Sequence, residues 1–237
     1  MKYFYLILIF FIHQPLTFSA ETKIAKKSEC IIFLGDSITQ CGMRSDGYVT
    51  LTKEEICKKY PDFDIKIIGA GLGGHRVPDL QARLNRDVIN KKPTIVVIYI
   101  GINDVWLWRY EKGTSKKEYE LGLQDIIERI NEAGARIILC TPSVIGEKTD
   151  GTNKYDKLLD EYSEISREVA FKTNSQLLDL RKYFKEYLEK NNKDNLYQGI
   201  LTGDGVHLNE EGNRFVAKLM AEALGIIFEE IEKSKKP

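Results

Sequence analysis

Asp204 and His207 stand three residues apart in the stretch Thr202-Gly-Asp-Gly-Val-His-Leu-Asn209. In a loop, that spacing lets a carboxylate reach the imidazole Nδ1–H of the same short segment. The contact fixes the tautomer and supports an imidazolium. A histidine held this way can serve as a general base, and a serine hydroxyl is a common nucleophile for such a base to activate. Gly35-Asp36-Ser37 offers one. It follows directly on the apolar run Cys30-Ile-Ile-Phe-Leu34, whose β-branched residues read as a buried strand. The end of a parallel strand in an α/β sheet is where ligands bind. Each feature also has a purely structural reading. Asp36 or Ser37 can cap a following helix, and Asp204 and His207 can share a surface turn.

Counting narrows the choice. The chain has three histidines, His13, His75 and His207. His13 falls in a segment expected to be removed, and only His207 has a carboxylate at a suggestive spacing. His75 reads as a crevice-wall residue or a structural donor.

Two further corners carry residues able to donate N–H groups. Gly69-Ala-Gly-Leu-Gly-Gly-His75 lets backbone approach a ligand closely. Its Gly69-x-Gly71-x-x-Gly74 pattern also matches a dinucleotide fingerprint. The match fails in context, because the preceding strand is not the first and no acidic residue closes a following strand at the expected distance. Gly101-Ile-Asn103-Asp104 places a side-chain amide at the end of another strand; the same residues also favour a plain turn.

These corners need a frame. Strand-like runs lie at Ile31–Leu34, Ile65–Ile68, Thr94–Ile100, Arg136–Cys140 and Gln176–Leu180. Helical patterns fall near Tyr48–Lys59, Val77–Asn85, Lys117–Ala133, Tyr155–Thr173, Tyr183–Lys190 and Glu210–Leu224. Leu123, Ile126, Ile127 and Ile130 keep helical spacing. Strand alternating with helix predicts a parallel sheet covered on both faces, and five strands favour the flavodoxin-like order 2-1-3-4-5. The crevice then opens where the first and third strands diverge. Glu21–Glu29 is polar and reads as a loose lead-in.

Composition excludes other classes. Lys+Arg and Asp+Glu number 35 each, so no basic excess exists to bind nucleic acid. Met1 to Ala20 reads as an export signal, with Lys2, an apolar run Tyr3–Ile12 too short to span a membrane, and small residues before the expected cut. That leaves residues 21–237 as one domain in the periplasm or outside the cell. The four cysteines, Cys30, Cys41, Cys57 and Cys140, are too sparse for a disulfide scaffold. Cys30 and Cys140 read as buried small hydrophobes, Cys41 and Cys57 pair only if the fold brings them together, and free thiols are expected.

Gly35-Asp36-Ser37, Gly74, Gly101-x-Asn103-Asp104 and Asp204-x-x-His207, in that order, resemble the SGNH (GDSL) hydrolase family. The resemblance covers most of the chain after the signal. It implies a three-layer α/β/α fold and serine esterase chemistry through an acyl-enzyme, with neither metal nor cofactor. By this likeness Ser37 is the nucleophile, His207 the base and Asp204 the orienting acid. The oxyanion donors are the backbone N–H groups of Ser37 and Gly74 and the side-chain amide of Asn103. Attack on an ester carbonyl creates an oxyanion, and losing one such donor typically costs ~3–4 kcal/mol. Asp36 is implied to stabilise its turn. The chain departs from the family at Gly69, where an asparagine often stands, which leaves the bracing of that loop open. Gly73 is the alternative donor to Gly74.

The substrate is less constrained. Trp106 and Trp108 lie just after the Asn103 corner and, with His75, are candidate walls of the crevice. Their alternative is to cover a helix–sheet junction. Export and neutral charge fit a carbohydrate O-deacetylase, a kind found among bacterial members of the family this chain resembles. The alternatives are a lysophospholipase or a short-chain acyl esterase or thioesterase. From another class, an inactive carbohydrate-binding module would keep the fold, but intact Ser37, Asn103, Asp204 and His207 argue against it.

Overall fold

The computed structural model describes Ile24 and residues 28–226. The expected export signal and the basic tail lie outside the described residues. Five parallel strands form the centre: β1 (Ser28–Gly35), β2 (Asp64–Gly71), β3 (Ile95–Tyr99), β4 (Arg136–Cys140) and β5 (Gln176–Leu178). Their order is β2-β1-β3-β4-β5. All five residues of β3 are buried, as a strand covered on both faces requires. Burying each such aliphatic side chain is worth about 1.5–3 kcal/mol.

The helices are α1 (Ser37–Gly42), α2 (Tyr48–Lys59), α3 (Val77–Asp87), α4 (Ile102–Trp106), α5 (Lys116–Glu132), α6 (Asp156–Lys172), α7 (Leu180–Asn191) and α8 (Glu210–Ala223). α2 packs on α8, while α3, α5 and α6 pack in succession. The two groups form the outer layers of an α/β/α sandwich. In α5 the predicted stripe Leu123, Ile126, Ile127 and Ile130 is buried, and Ser115 with Glu118 forms a capping box at its start.

Register is what makes the site. Gly35 pairs with Gly71 on one side and with Tyr99 on the other. Three chains therefore leave the sheet at one level, and they lead to Ser37, Gly74 and Asn103. The strands crowd there: a Cβ on Gly71 would lie 2.2 Å from the Gln40 backbone nitrogen. Only glycine lets β2 pass so close to α1.

Several boundaries differ from the sequence expectation. β1 begins at Ser28, so the end of the supposed loose lead-in is ordered. Glu29 is buried and pairs with Arg136 at 2.7 Å, tying the first strand to the fourth. β5 stops at Leu178, because Asp179 caps α7 by accepting the Lys182 N–H. The short helices α1 and α4 had no counterpart in the periodicity. All four cysteines are free, and Cys30 is half-buried where a buried position was expected.

Candidate active site

Ser37 is the first residue of α1. Asp36 precedes it as N-cap and accepts the Ile38 N–H at 2.9 Å. The acid therefore caps the helix, which leaves the serine hydroxyl free of that task. Its Oγ lies 2.8 Å from His207 Nε2. On the far side of the ring, Nδ1 lies 2.7 Å from Asp204 Oδ2. The other Asp204 oxygen accepts the backbone N–H groups of Val206 at 2.9 Å and His207 at 2.7 Å. Burial raises the Asp204 pKa, but the His207 hydrogen bond and these two N–H groups outweigh it, so the net shift is downward. An ionised Asp204 accepts Nδ1–H, which leaves the Nε2 lone pair for the serine proton. An antiparallel bridge between Thr202 and Leu208 closes the loop that holds both residues.

Facing this relay are N–H groups with differing engagement. The Gly73 N–H donates to Gln40 Oε1 at 2.9 Å. Ser37 N–H and Gly74 N–H make no hydrogen bond among the described residues. This favours Gly74 over Gly73 as a donor. Gly74 has φ of 77°, a left-handed conformation that glycine adopts at little cost. The Asn103 amide donates to the His75 carbonyl at 3.1 Å and makes a long contact of 3.4 Å to Asp36 Oδ2.

Two buried acids flank the cradle. Burial pushes the Asp36 pKa up to about 7, against the Ile38 N–H, with nearby Asp104 raising it further. Burial likewise raises Asp104 to about 6. Asp104 accepts the Val77 N–H at 3.1 Å and so fixes the start of α3 behind the glycine loop. Among the described residues, no group of three or more His, Cys, Asp or Glu side chains is placed to hold a metal ion.

A family model described as GDSL-like Lipase/Acylhydrolase matches residues 33–215, which takes in every element just described. The chain belongs to that family. It is a carboxylesterase. A curated relative, the acetylxylan esterase of Geobacillus stearothermophilus, is 32% identical over 214 residues, covering 83% of this chain and 94% of the relative. The isoamyl acetate-hydrolyzing esterase 1 homolog of Rattus norvegicus is 26% identical over 205 residues, covering 78% of this chain and 77% of its own. Among solved structures, the acetyl xylan esterase AlAXEase superposes with a TM-score of 0.80 at 44% identity, over 82% of this chain and 99% of that one.

Two buried charged side chains outside the GDSL-like motif support this site, and the sequence reading missed both. Glu147 is fully buried between β4 and α6. Its Oε1 accepts Leu201 N–H (2.7 Å), Thr202 N–H (2.6 Å) and the Thr202 hydroxyl (2.9 Å), and its Oε2 accepts Ile200 N–H (2.8 Å). The Thr202 hydroxyl in turn accepts the Gly205 N–H at 3.1 Å. One carboxylate thus templates the loop that carries Asp204. Arg83 does a comparable job at the other end of the crevice, beneath the glycine loop. The partners of Glu147 lie 53 to 55 residues away and the Gly35 carbonyl lies 48 from Arg83, so no local spacing pattern announces these links.

The expected wall residues go separate ways. Trp106 lies 5.8 Å from Tyr155, centroid to centroid, and carries the Arg109 guanidinium 4.0 Å over its ring. Lys154 sits 5.4 Å over Tyr155. Tyr197 packs against Gly146 and Gly205, beside Asp204. Trp108 instead packs on Gly113 and donates to the Tyr162 hydroxyl at 3.2 Å. The His75 ring accepts from Arg83 Nε at 3.2 Å and lines a separate cavity with Asp79, Ala82 and Arg86. Neither the Trp108 indole nor the His75 ring hydrogen-bonds to the triad among the described residues. Tyr155 and Tyr197 are aromatic residues near this crevice that the sequence reading did not single out.

Proposed function

We propose that this protein is an exported acetyl esterase that removes O-acetyl groups from carbohydrate through an acetyl-enzyme on Ser37. The relay Ser37 Oγ–His207–Asp204, with contacts of 2.8 and 2.7 Å, carries the reading. His207 takes the serine proton as Oγ attacks the acetyl carbonyl. The developing oxyanion receives the two unengaged N–H groups of Ser37 and Gly74. Asn103 exchanges its long contact to Asp36 for a hydrogen bond to the same oxygen. Protonated His207 then gives its proton to the departing sugar hydroxyl. Water, deprotonated by His207, attacks the acetyl-enzyme; the bond from the acetyl carbon to Oγ breaks, His207 returns the proton to Ser37 Oγ, and acetate leaves. Asp204 stays ionised throughout and stabilises the imidazolium.

Carbohydrate as the alcohol is supported by relatives that are acetylxylan esterases. Trp106 and Tyr155 are half-buried neighbouring aromatic rings, a residue type suited to contact with sugar rings. Export is supported by the apolar, lysine-led N-terminus. Acetate release from acetylated xylo-oligosaccharides, compared with hydrolysis of lysophosphatidylcholine and of octanoyl esters, tests the reading. The acetylated sugar is expected to give a higher kcat/KM than either competitor by at least ~100-fold, a gap of about 2.7 kcal/mol. A higher value for the lipid or the long acyl ester would overturn the substrate assignment.

A further inference from the structure

We infer that Arg83 is a positioning residue for the oxyanion cradle, holding its three donors in register; this rests on the proposed reading of the site. The side chain is only 5% exposed, and four of its five N–H groups meet an acceptor. Its Nη2 donates to the Gly35 carbonyl at 2.8 Å, two residues before Ser37. Its Nη1 donates to the Ala70 carbonyl at 2.9 Å, at the end of β2 where the glycine loop begins. Its Nε donates to His75 Nδ1 at 3.2 Å, directly after Gly74. The carbonyl of the same His75 accepts the Asn103 amide at 3.1 Å. One planar guanidinium therefore links the β1 end, the β2 end and, through His75, the Asn103 corner. Each link lies within a few residues of a proposed oxyanion donor.

The arrangement answers the departure at Gly69. No side chain there can reach across the loop, and Met43 packs against its α-carbon. Bracing comes instead from below, through a fork whose donor directions are fixed. His75 supports this geometry, since burial first and the Arg83 charge second lower its pKa and keep the ring neutral, with Nδ1 free to accept. Asp87 completes the environment by accepting at 3.0 Å from Nη1, the same nitrogen that holds the Ala70 carbonyl.

Oxyanion donors act in the transition state, so displacing them lowers kcat more than it raises KM. The test uses Arg83→Lys and Arg83→Gln in the full chain, with Arg136→Gln, which loosens the Glu29 pair at the start of β4, as a stability control and Ser37→Ala as the reference for the site. Rates on an aryl acetate are normalised to sites titrated to completion with an aryl phosphonate. Arg83→Lys keeps a charge but cannot reach the carbonyls and His75 together. We expect its kcat to fall ~10–100-fold, with KM within about twofold and the phosphonate labelling rate falling in parallel. Arg136→Gln is expected to lower Tm while keeping wild-type kcat. The inference is overturned if Arg83→Lys keeps wild-type kcat, if only KM changes, or if Arg136→Gln loses as much kcat as Arg83→Lys. If neither Arg83 variant folds, His75→Ala, which removes one of the cradle contacts, carries the test. A loss of roughly 3–10-fold in kcat supports the inference, and wild-type kcat overturns it. Ser37→Ala separates the two levels. If it is inactive while Arg83→Lys is normal, only the Arg83 inference fails. If it turns over like wild type, the reading of the whole site fails.

Discussion

Replacing Glu147 by glutamine removes one acceptor from a place that uses both. In the native protein four donors converge on its two oxygens, at 2.6 to 2.9 Å. The amide can keep its carbonyl toward Leu201 and Thr202, where three of those donors lie. Its NH2 then faces the Ile200 N–H and leaves that buried donor without a partner. Such an orphan costs about 1–3 kcal/mol, and three hydrogen bonds to a carboxylate become weaker bonds to an amide. Burying a neutral group instead of a charge offsets part of this. The net expectation is a loss of about 2–4 kcal/mol. For a domain of this size that corresponds to a Tm lowered by roughly 5–15 °C. The loop between Tyr197 and His207 also loses its template, so Asp204 no longer holds the imidazole steadily. We expect kcat on an aryl acetate, measured well below the new Tm, to fall about 10-fold or more with little change in KM. Thermal melts by circular dichroism and steady-state kinetics on the same preparation check this. A variant that melts within 2 °C of wild type, taken as about the smallest shift a 1 kcal/mol change produces, and keeps its kcat would refute the template role.

Asp36 and Asp104 predict a pH trend. Their folded-state pKa values, about 7 and about 6, lie above the ~3.9 of an unfolded aspartate. Between these limits the folded state binds more protons, so stability falls as pH rises through the folded values. For Asp36 alone the loss between pH 5 and 8 is about 2–3 kcal/mol. Urea unfolding should show this extra slope in wild type and not in Asp36→Asn; equal slopes would contradict it. Trp106→Ala should raise KM for acetylated xylo-oligosaccharides about tenfold and leave KM for a small aryl acetate nearly unchanged. A parallel rise in both would remove Trp106 from the sugar platform. The free cysteines predict that a reductant leaves Tm unchanged, and that exposed Cys57 reacts with a thiol reagent in the native state while buried Cys140 reacts only after unfolding. A Tm lowered by reductant would contradict this.

The sheet order and the four corners were legible because their signals are local. Apolar runs ending at glycine, an acid three residues before a histidine and a strand-end asparagine can all be read within a short window. The short helices at Ser37–Gly42 and Ile102–Trp106 were not, since five or six residues cannot display a helical period. Register between Gly35, Gly71 and Tyr99 turned separate corners into one crevice, and pairing register has no signature inside any single strand. The choice between Gly73 and Gly74 turned on Gln40, a residue 33 positions away that engages one N–H and leaves the other. Glu147 and Arg83 share this character, for each serves backbone groups roughly fifty residues distant or held on another strand. The bond from the Trp108 indole to the Tyr162 hydroxyl was not legible either, since its two partners are 54 residues apart.

The central claim is that Ser37, activated by His207, carries the acyl group. Acid quenching during turnover of an acetylated substrate, followed by peptide mass spectrometry, tests it most directly. The account predicts a single acetyl group on the peptide containing Ser37, absent in Ser37→Ala, which should also be inactive. An acetyl group on another residue, or a Ser37→Ala protein that turns over at the wild-type rate, would contradict it.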